Sequence, residues 1–186
     1  TYIDLFAGIG GFRVGMDHAG FQHLYSNDYD KYASQTYKAW YGPENHSCKS
    51  IWDAIQDKEI PDHDILCGGF PCQPFSNAGK RLGFQDNRQG NLFFAIKDIV
   101  EAKRPKVVFL ENVRTLKGHD NKNTFKTIDE KFEELQYYKT HEIISAKFWV
   151  PQNRVRIFMV YLDMNFFTEE DRDNFQAELT KLKEGN

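Results

Sequence analysis

Cys72 stands between two prolines in G-G-F-P-C-Q-P-F-S (68–76), directly after an apolar run. Proline fixes its own φ, so this stretch is a stiff turn that displays a side chain more readily than it buries one. A displayed thiol is a candidate nucleophile. A free thiol titrates near about 8.5, so attack requires surroundings that favour the thiolate; the alternative is an inert core cysteine. Glu111 opens E-N-V (111–113) at the end of the apolar run K-V-V-F-L (106–110). A carboxyl group there is either an acid–base group or a strand-end ion-pair partner. P-Q-N-R-V-R (151–156) adds the amide of Gln152 and the guanidinium groups of Arg154 and Arg156, which suit an anion or a polar ring, with a plain salt bridge as the alternative for Arg156. Parallel strands deliver their C-terminal ends to one crevice, so Cys72 and Glu111 can face the same ligand.

A second group lies earlier. F-A-G-I-G-G-F (6–12) follows a predicted strand and opens a predicted helix. Glycines in that position let backbone approach a ligand and expose amide groups at a helix N-terminus. The spacing is G-x-G-G and not the dinucleotide pattern G-x-G-x-x-G. Asp28 lies twenty residues beyond Gly8 at the end of the second predicted strand. A carboxylate there can hold both ribose hydroxyls of an adenosine, or cap the next helix, and Tyr29 beside it can stack on adenine.

These residues need a frame. Alternation and apolar runs predict strands at 1–6, 21–26, 64–67, 106–110, 138–145 and 155–161, and helices at 12–19, from after Asp28 to about 40, 91–102 and 124–135. The segment around Ile51 is weak, and 71–90 reads as a long loop rich in Gly, Pro, Asn and Ser. The β-α-β-α order predicts an α/β fold: a mostly parallel, doubly wound sheet with an antiparallel edge pair near the C-terminus. Residues 1–162 form the expected domain. Residues 163–186 form an acidic amphipathic tail helix with Phe175, Leu179 and Leu182 on one stripe, and no separate domain.

The 186 residues suit one domain. No apolar run reaches the length of a membrane span and no signal-like segment is present, so no membrane partner is expected. Cys48, Cys67 and Cys72 are too few for a disulfide framework or a cysteine zinc site, so no metal is expected and a reducing, cytoplasmic setting is. The net charge of −3 conceals a division: residues 163–186 hold seven acidic and three basic side chains, whereas 71–118 hold nine basic and four acidic ones. That middle section permits a polyanionic partner.

Taken together in their order and spacing, the four motifs F-A-G-I-G-G-F, G-G-F-P-C-Q-P-F-S, E-N-V and Q-N-R-V-R resemble the DNA cytosine-5 methyltransferases of bacterial restriction–modification systems, from residue 1 to about 161. The resemblance implies a Rossmann-like methyltransferase fold that uses S-adenosylmethionine, releases S-adenosylhomocysteine and acts on double-stranded DNA. It implies that Phe6, Gly8, Ile9, Gly10 and Gly11 form the cofactor loop, that Asp28 and Tyr29 hold ribose and adenine, and that Ser50, Ile51, Pro71 and Leu92 complete the cofactor site. Cys72 becomes the nucleophile, Glu111 the group that grips cytosine, and Arg154 and Arg156 the anchors of the base pocket. Gln73, Ser76, Asn112 and Gln152 are placed near the substrate, with Lys80, Arg81 and Arg88 meeting phosphates.

Two features depart from that family. Ser50 stands where an acidic residue often meets the adenine amino group, and the family's target-recognition region does not follow residue 161. A partner subunit or a further C-terminal segment is therefore expected to supply recognition. Two other functions remain open at this level: methylation of cytosine in transfer RNA, and a non-catalytic or partner-dependent subunit of a split enzyme.

Overall fold

A computed structural model describes residues 1–71 and 92–183. Cys72, Gln73, Ser76, Lys80, Arg81 and Arg88, with the expected loop that carries them, lie outside the described residues. The elements in chain order are β1 (Tyr2–Leu5), α1 (Gly11–His18), β2 (His23–Asn27), α2 (Lys31–Tyr41), β3 (His46–Ser47), α3 (Ile51–Gln56), β4 (Ile65–Gly68), α4 (Leu92–Lys103), β5 (Val107–Val113), α5 (Asn123–Glu134), β6 (Tyr137–Ser145), β7 (Val155–Asp163) and α6 (Glu169–Lys183). A 3-10 stretch, Arg114–Lys122, links β5 to α5.

The seven strands form one sheet in the order β3-β2-β1-β4-β5-β7-β6. Pairs among β1 to β5 are parallel, and β7 is antiparallel to both of its neighbours. The predicted antiparallel pair is therefore present, with β7 inserted between β5 and β6. Strand order reverses between β1 and β4, and a sheet of this kind opens a crevice at that switch point, beyond the carboxyl ends of its strands.

Register sorts the side chains onto two faces. Ile3 is paired with Tyr25 and Leu66, Leu66 with Val108, and Val108 with Tyr161. These residues belong to one apolar core with Phe93, Ile96 and Val100 of α4 and Ile128 and Phe132 of α5. Phe132 stacks on Tyr161 at 3.8 Å between ring centroids. Long helices with continuous apolar stripes lie here because a parallel sheet must be covered on both faces. The opposite face carries Asp4 beside Ser26 and Cys67, then Phe109 and Val160. Under α2 it holds a polar network: the buried His46 bonds Ser26 Oγ at 2.8 Å and Ser34 Oγ at 3.0 Å and stacks on Tyr37.

Local signals explain most boundaries. Asp30 caps α2 by accepting from the N–H groups of Tyr32 and Ala33, and Gly42 ends it. Ser50 caps α3 by accepting from Asp53 N–H, so the segment judged weak from sequence is a short helix with its apolar Ile51 and Ala54 buried. Arg104 and Asp163 tie the base of the sheet together: Arg104 Nη2 donates to Asp163 Oδ1 at 2.8 Å, Nη1 donates to the Leu135 carbonyl, and the guanidinium covers the Tyr137 ring. The tail helix docks on β6, where Thr140 Oγ1 donates to Gln176 Oε1 and Arg172 lies over Tyr138. Of its expected apolar stripe only Leu179 is buried; Phe175 and Leu182 remain exposed, because the docking contacts come from the neighbouring polar positions.

Candidate active site

The glycine loop of residues 6–11 is shaped by backbone before side chains. Phe6, Gly8 and Gly10 all have positive φ, at 56°, 55° and 96°. At Gly10 a β-carbon would lie 2.5 Å from Tyr41 Cε2, so only glycine allows α2 to close against the loop. Gly8 N–H donates to Asp28 Oδ2 at 2.7 Å, and Asp30 N–H donates to Asp28 Oδ1 at 2.8 Å. Asp28 thus joins the ends of β1 and β2. It is not the cap of α2, a task that falls to Asp30. Tyr29 is 78 % exposed beside it, with its face open to solvent.

Beneath the loop lies Asp4, fully buried. Neither of its oxygens has a hydrogen-bond partner of ordinary geometry, although the Arg13 backbone N–H gives partial relief. Burial first, and then the charge of Asp28, push its carboxyl up to about 8. Its neighbour Cys67 is also buried, and desolvation with the proximity of Asp4 raises that thiol well above its ordinary range, so Cys67 is chemically inert.

The second half of the site stands at the end of β5. Glu111 Oε1 forms an ion pair with Arg156 Nε at 2.8 Å and accepts a long bond from Arg154 Nη2 at 3.5 Å. The two arginines come from β7 and the turn before it, and the antiparallel register that sets Val113 against Arg156 delivers them. Glu111 Oε2 faces Gly69, where a β-carbon would touch it at 3.5 Å. A cleft of about 460 Å³ joins the halves, lined by Phe6, Ala7, Ile9, Gly11, Phe12, Gly69, Glu111, Arg154 and Phe158. A larger groove of about 710 Å³ along α5 has Lys139 paired to Glu133 and Lys126 to Glu130 among its lining residues, away from the strand ends that converge on Glu111.

Several expected positions have different surroundings from those their motifs suggested. Asn112 is only 3 % exposed and donates to the Phe70 carbonyl at 2.8 Å, so it braces the backbone leading into Pro71 instead of facing a substrate. Alternation along β5 turns it inward whenever Glu111 points to the cleft. Ser50 Oγ is engaged by Asp53, accepting from its N–H at 3.1 Å and donating to its carboxylate at 2.8 Å. Ile51 is 2 % exposed and sits in the core. Leu92 is half-buried against the same core. Gln152 and Pro71 are exposed. Four lining residues were not singled out from the sequence: Ala7, Phe12, Gly69 and Phe158. Phe12 closes the glycine motif itself, and Phe158 is the register partner of Glu111, a pairing that no local pattern reveals.

A glycine-shaped loop, a carboxylate at the end of β2 and an arginine-held glutamate at the end of β5 define a class of two-part α/β site. The chain belongs to the C-5 cytosine-specific DNA methylase family, whose model matches residues 1–184. It is 46 % identical over 162 residues to the Type II methyltransferase M.HhaI of Haemophilus parahaemolyticus, covering 86 % of this chain and 48 % of the relative. It is 52 % identical over 163 residues to M1.ScrFI of Lactococcus lactis subsp. cremoris, covering 87 % and 41 %. With M.SsoII of Shigella sonnei the match is 44 % over 189 residues, covering 99 % and 48 %. The chain spans about half the length of the curated relatives it matches. Among solved structures, a DNMT2 mutant of Spodoptera frugiperda superposes with a TM-score of 0.70 at 22 % identity over 90 % of this chain and 51 % of the other, which bears on fold alone. Among the described residues no helix is long and apolar enough to cross a membrane, and no group of His, Cys, Asp and Glu is arranged to hold a metal.

Proposed function

We propose that the chain is the catalytic part of an S-adenosylmethionine-dependent DNA methyltransferase, which modifies C5 of a flipped-out cytosine through a transient bond from Cys72 to C6. The observation that carries this reading is Glu111, fixed through one oxygen by Arg156 and Arg154 with the other beside Gly69, in one cleft with the glycine loop. The cleft fits the cofactor. The loop closes at Gly10 only without a side chain, its backbone is left-handed at three positions, and Asp28 stands at its edge. Phe6, Gly8, Ile9, Gly10 and Gly11 would hold the cofactor's body, Asp28 its ribose and Tyr29 its adenine. When bound, the cofactor supplies an electrophilic methyl group to C5.

The chain's own residues make C5 reactive. The Cys72 thiolate adds to C6, forming the S–C6 bond as the C5–C6 π electrons shift into the ring. Glu111 delivers a proton to N3 and offsets the charge that builds there, while the other carboxyl oxygen accepts from the exocyclic amino group. Arg154 and Arg156 keep that carboxyl aimed. Once C5 carries its methyl group, its proton leaves to water, the C5–C6 double bond reforms, the thiolate departs and N3 returns its proton to Glu111. C6 must be approached from its face, so the base has to leave the helical stack. Lys80, Arg81 and Arg88 would meet phosphates. A bacterial relative of the restriction–modification type would do this in the cytoplasm, with target recognition supplied by a partner or further segment.

Covalent trapping tests the reading. The protein is mixed with cofactor and a duplex containing 5-fluorocytosine, whose fluorine cannot leave as a proton. A denaturant-resistant adduct that Cys72→Ser abolishes is the expected result. Absence of adduct with cofactor bound would sink it, and equal trapping on RNA of the same sequence would move the substrate.

A further inference from the structure

The turn between β6 and β7 carries three consecutive large apolar residues in water. Phe148, Trp149 and Val150 are 48 %, 52 % and 47 % exposed. The turn is stapled. Ala146 N–H donates to the Arg154 carbonyl at 3.0 Å, the N–H groups of Trp149 and Val150 both donate to the Ala146 carbonyl at 3.0 Å, and Gln152 N–H donates to the Val150 carbonyl at 2.7 Å. The aromatic rings are held outward by fixed backbone, Phe148 and Trp149 edge to face at 5.8 Å and Lys147 Nζ 5.1 Å from the centre of the Phe148 ring. The same turn ends in Arg154, which reaches Glu111. Between Glu142 and Asp163 the chain has three cations, Lys147, Arg154 and Arg156, and no acidic residue.

We propose that this rim is a nucleic-acid contact surface, on which Trp149 lies against base or sugar faces of the strand next to the reacting cytosine, while Lys147 meets its phosphates. The inference rests on the DNA-methylating reading of the site and adds the partner's seat to it. Three features select nucleic acid as the occupant. The turn ends in Arg154, which lines the Glu111 cleft. It joins aromatic faces to Lys147, with no carboxylate in the turn itself, the combination that binds nucleotides without reading sequence. And removing a cytosine from the stack uncovers the faces of its neighbours, which an aromatic rim beside the pocket can cover.

The test uses the protein, cofactor and the 5-fluorocytosine duplex, with tryptophan emission and adduct yield both read. Trp149→Ala should weaken duplex binding by roughly fivefold to a hundredfold while leaving the slope of log affinity against log salt unchanged. Lys147→Ala should lower that slope by about one. Trp149→Tyr should restore most of the affinity, and the change in emission on adding duplex should vanish in Trp149→Phe and persist in Trp40→Phe. Wild-type affinity in Trp149→Ala would overturn the proposal while normal trapping left the catalytic reading standing. So would equal losses in Trp149→Ala and Trp149→Tyr accompanied by a lowered melting temperature, which mark a structural role. Failure of the wild-type protein to bind or trap any duplex would overturn the catalytic reading and this inference with it.

Discussion

The two faces of the sheet are built from opposite materials. One is mostly apolar: Ile3, Leu5, Leu66, Val108, Leu110 and Met159 belong to the core that α4 and α5 cover, where the buried Tyr161–Asp129 hydrogen bond is a polar exception. The other holds a carboxyl without good partners at Asp4, the His46 network, and at its upper end the Glu111–Arg156 pair. Apolar burial is the main favourable contribution to folding, and buried polar groups contribute little net stability even when satisfied. The apolar face therefore sets the stability of the domain, and the polar face holds geometry that the chemistry uses. A site of this kind can carry poorly satisfied groups because the other side of the same strands keeps the sheet together.

Substitutions on each face should separate these roles. Phe132→Ala removes a stacked, buried ring from the apolar face and should cost about 3–5 kcal/mol, read as a shift of the urea midpoint with cofactor affinity preserved in the folded fraction. Glu111→Gln should do the reverse, lowering methyl transfer by roughly 10² to 10³ while changing stability by less than about 1 kcal/mol, since the arginines it pairs with remain partly in water. A comparable stability loss from Glu111→Gln would erase the division. Asp28→Ala should weaken cofactor binding by about tenfold, on the order of 1.4 kcal/mol, measured by calorimetry, because the hold on Gly8 disappears together with the ribose contact proposed above.

A further test concerns pH. Asp4 is raised in the folded state, so the native protein binds more protons than the unfolded chain between the ordinary carboxyl range and about 8. Its contribution to stability is full below the unfolded value and is lost as pH rises through about 8. The slope is at most about 1.4 kcal/mol per pH unit. Asp4→Asn should flatten the decline seen in melts between pH 5 and 8. An unchanged slope would mean that another group on the polar face carries the proton.

Much of this organisation was legible in residues and spacing. The strand-turn-helix of F-A-G-I-G-G-F, the carboxylate at Asp28 and the glutamate ending β5 all follow from local patterns, because turn glycines and apolar runs act over a few residues. What stayed hidden was set by distant pairing. β3 is two residues long and exists only because β2 lies beside it. Phe158 enters the cleft through a register fixed across 47 residues of chain, from Glu111 to Phe158. The dipeptide at Ser50 and Ile51 shows the converse limit. A motif position carries a role from family to chain, yet the hydroxyl caps a helix and the isoleucine faces the core. Asn112 repeats the lesson, one residue from Glu111 and on the other face.

The insertion of β7 also orders events in time. A chain emerging from its N-terminus can assemble β1 to β5 with their crossover helices while the far edge of β5 has no neighbour, because β6 is made first and does not pair with it. Domains tend to form as they are synthesised, so the glycine loop and Asp28 can be in place before the arginines exist. Glu111 then waits at an open strand edge until β7 slides in and brings Arg154 and Arg156 to it. Until β7 is translated, the nascent sheet can present the glycine loop and Asp28 while Glu111 lacks its arginine partners.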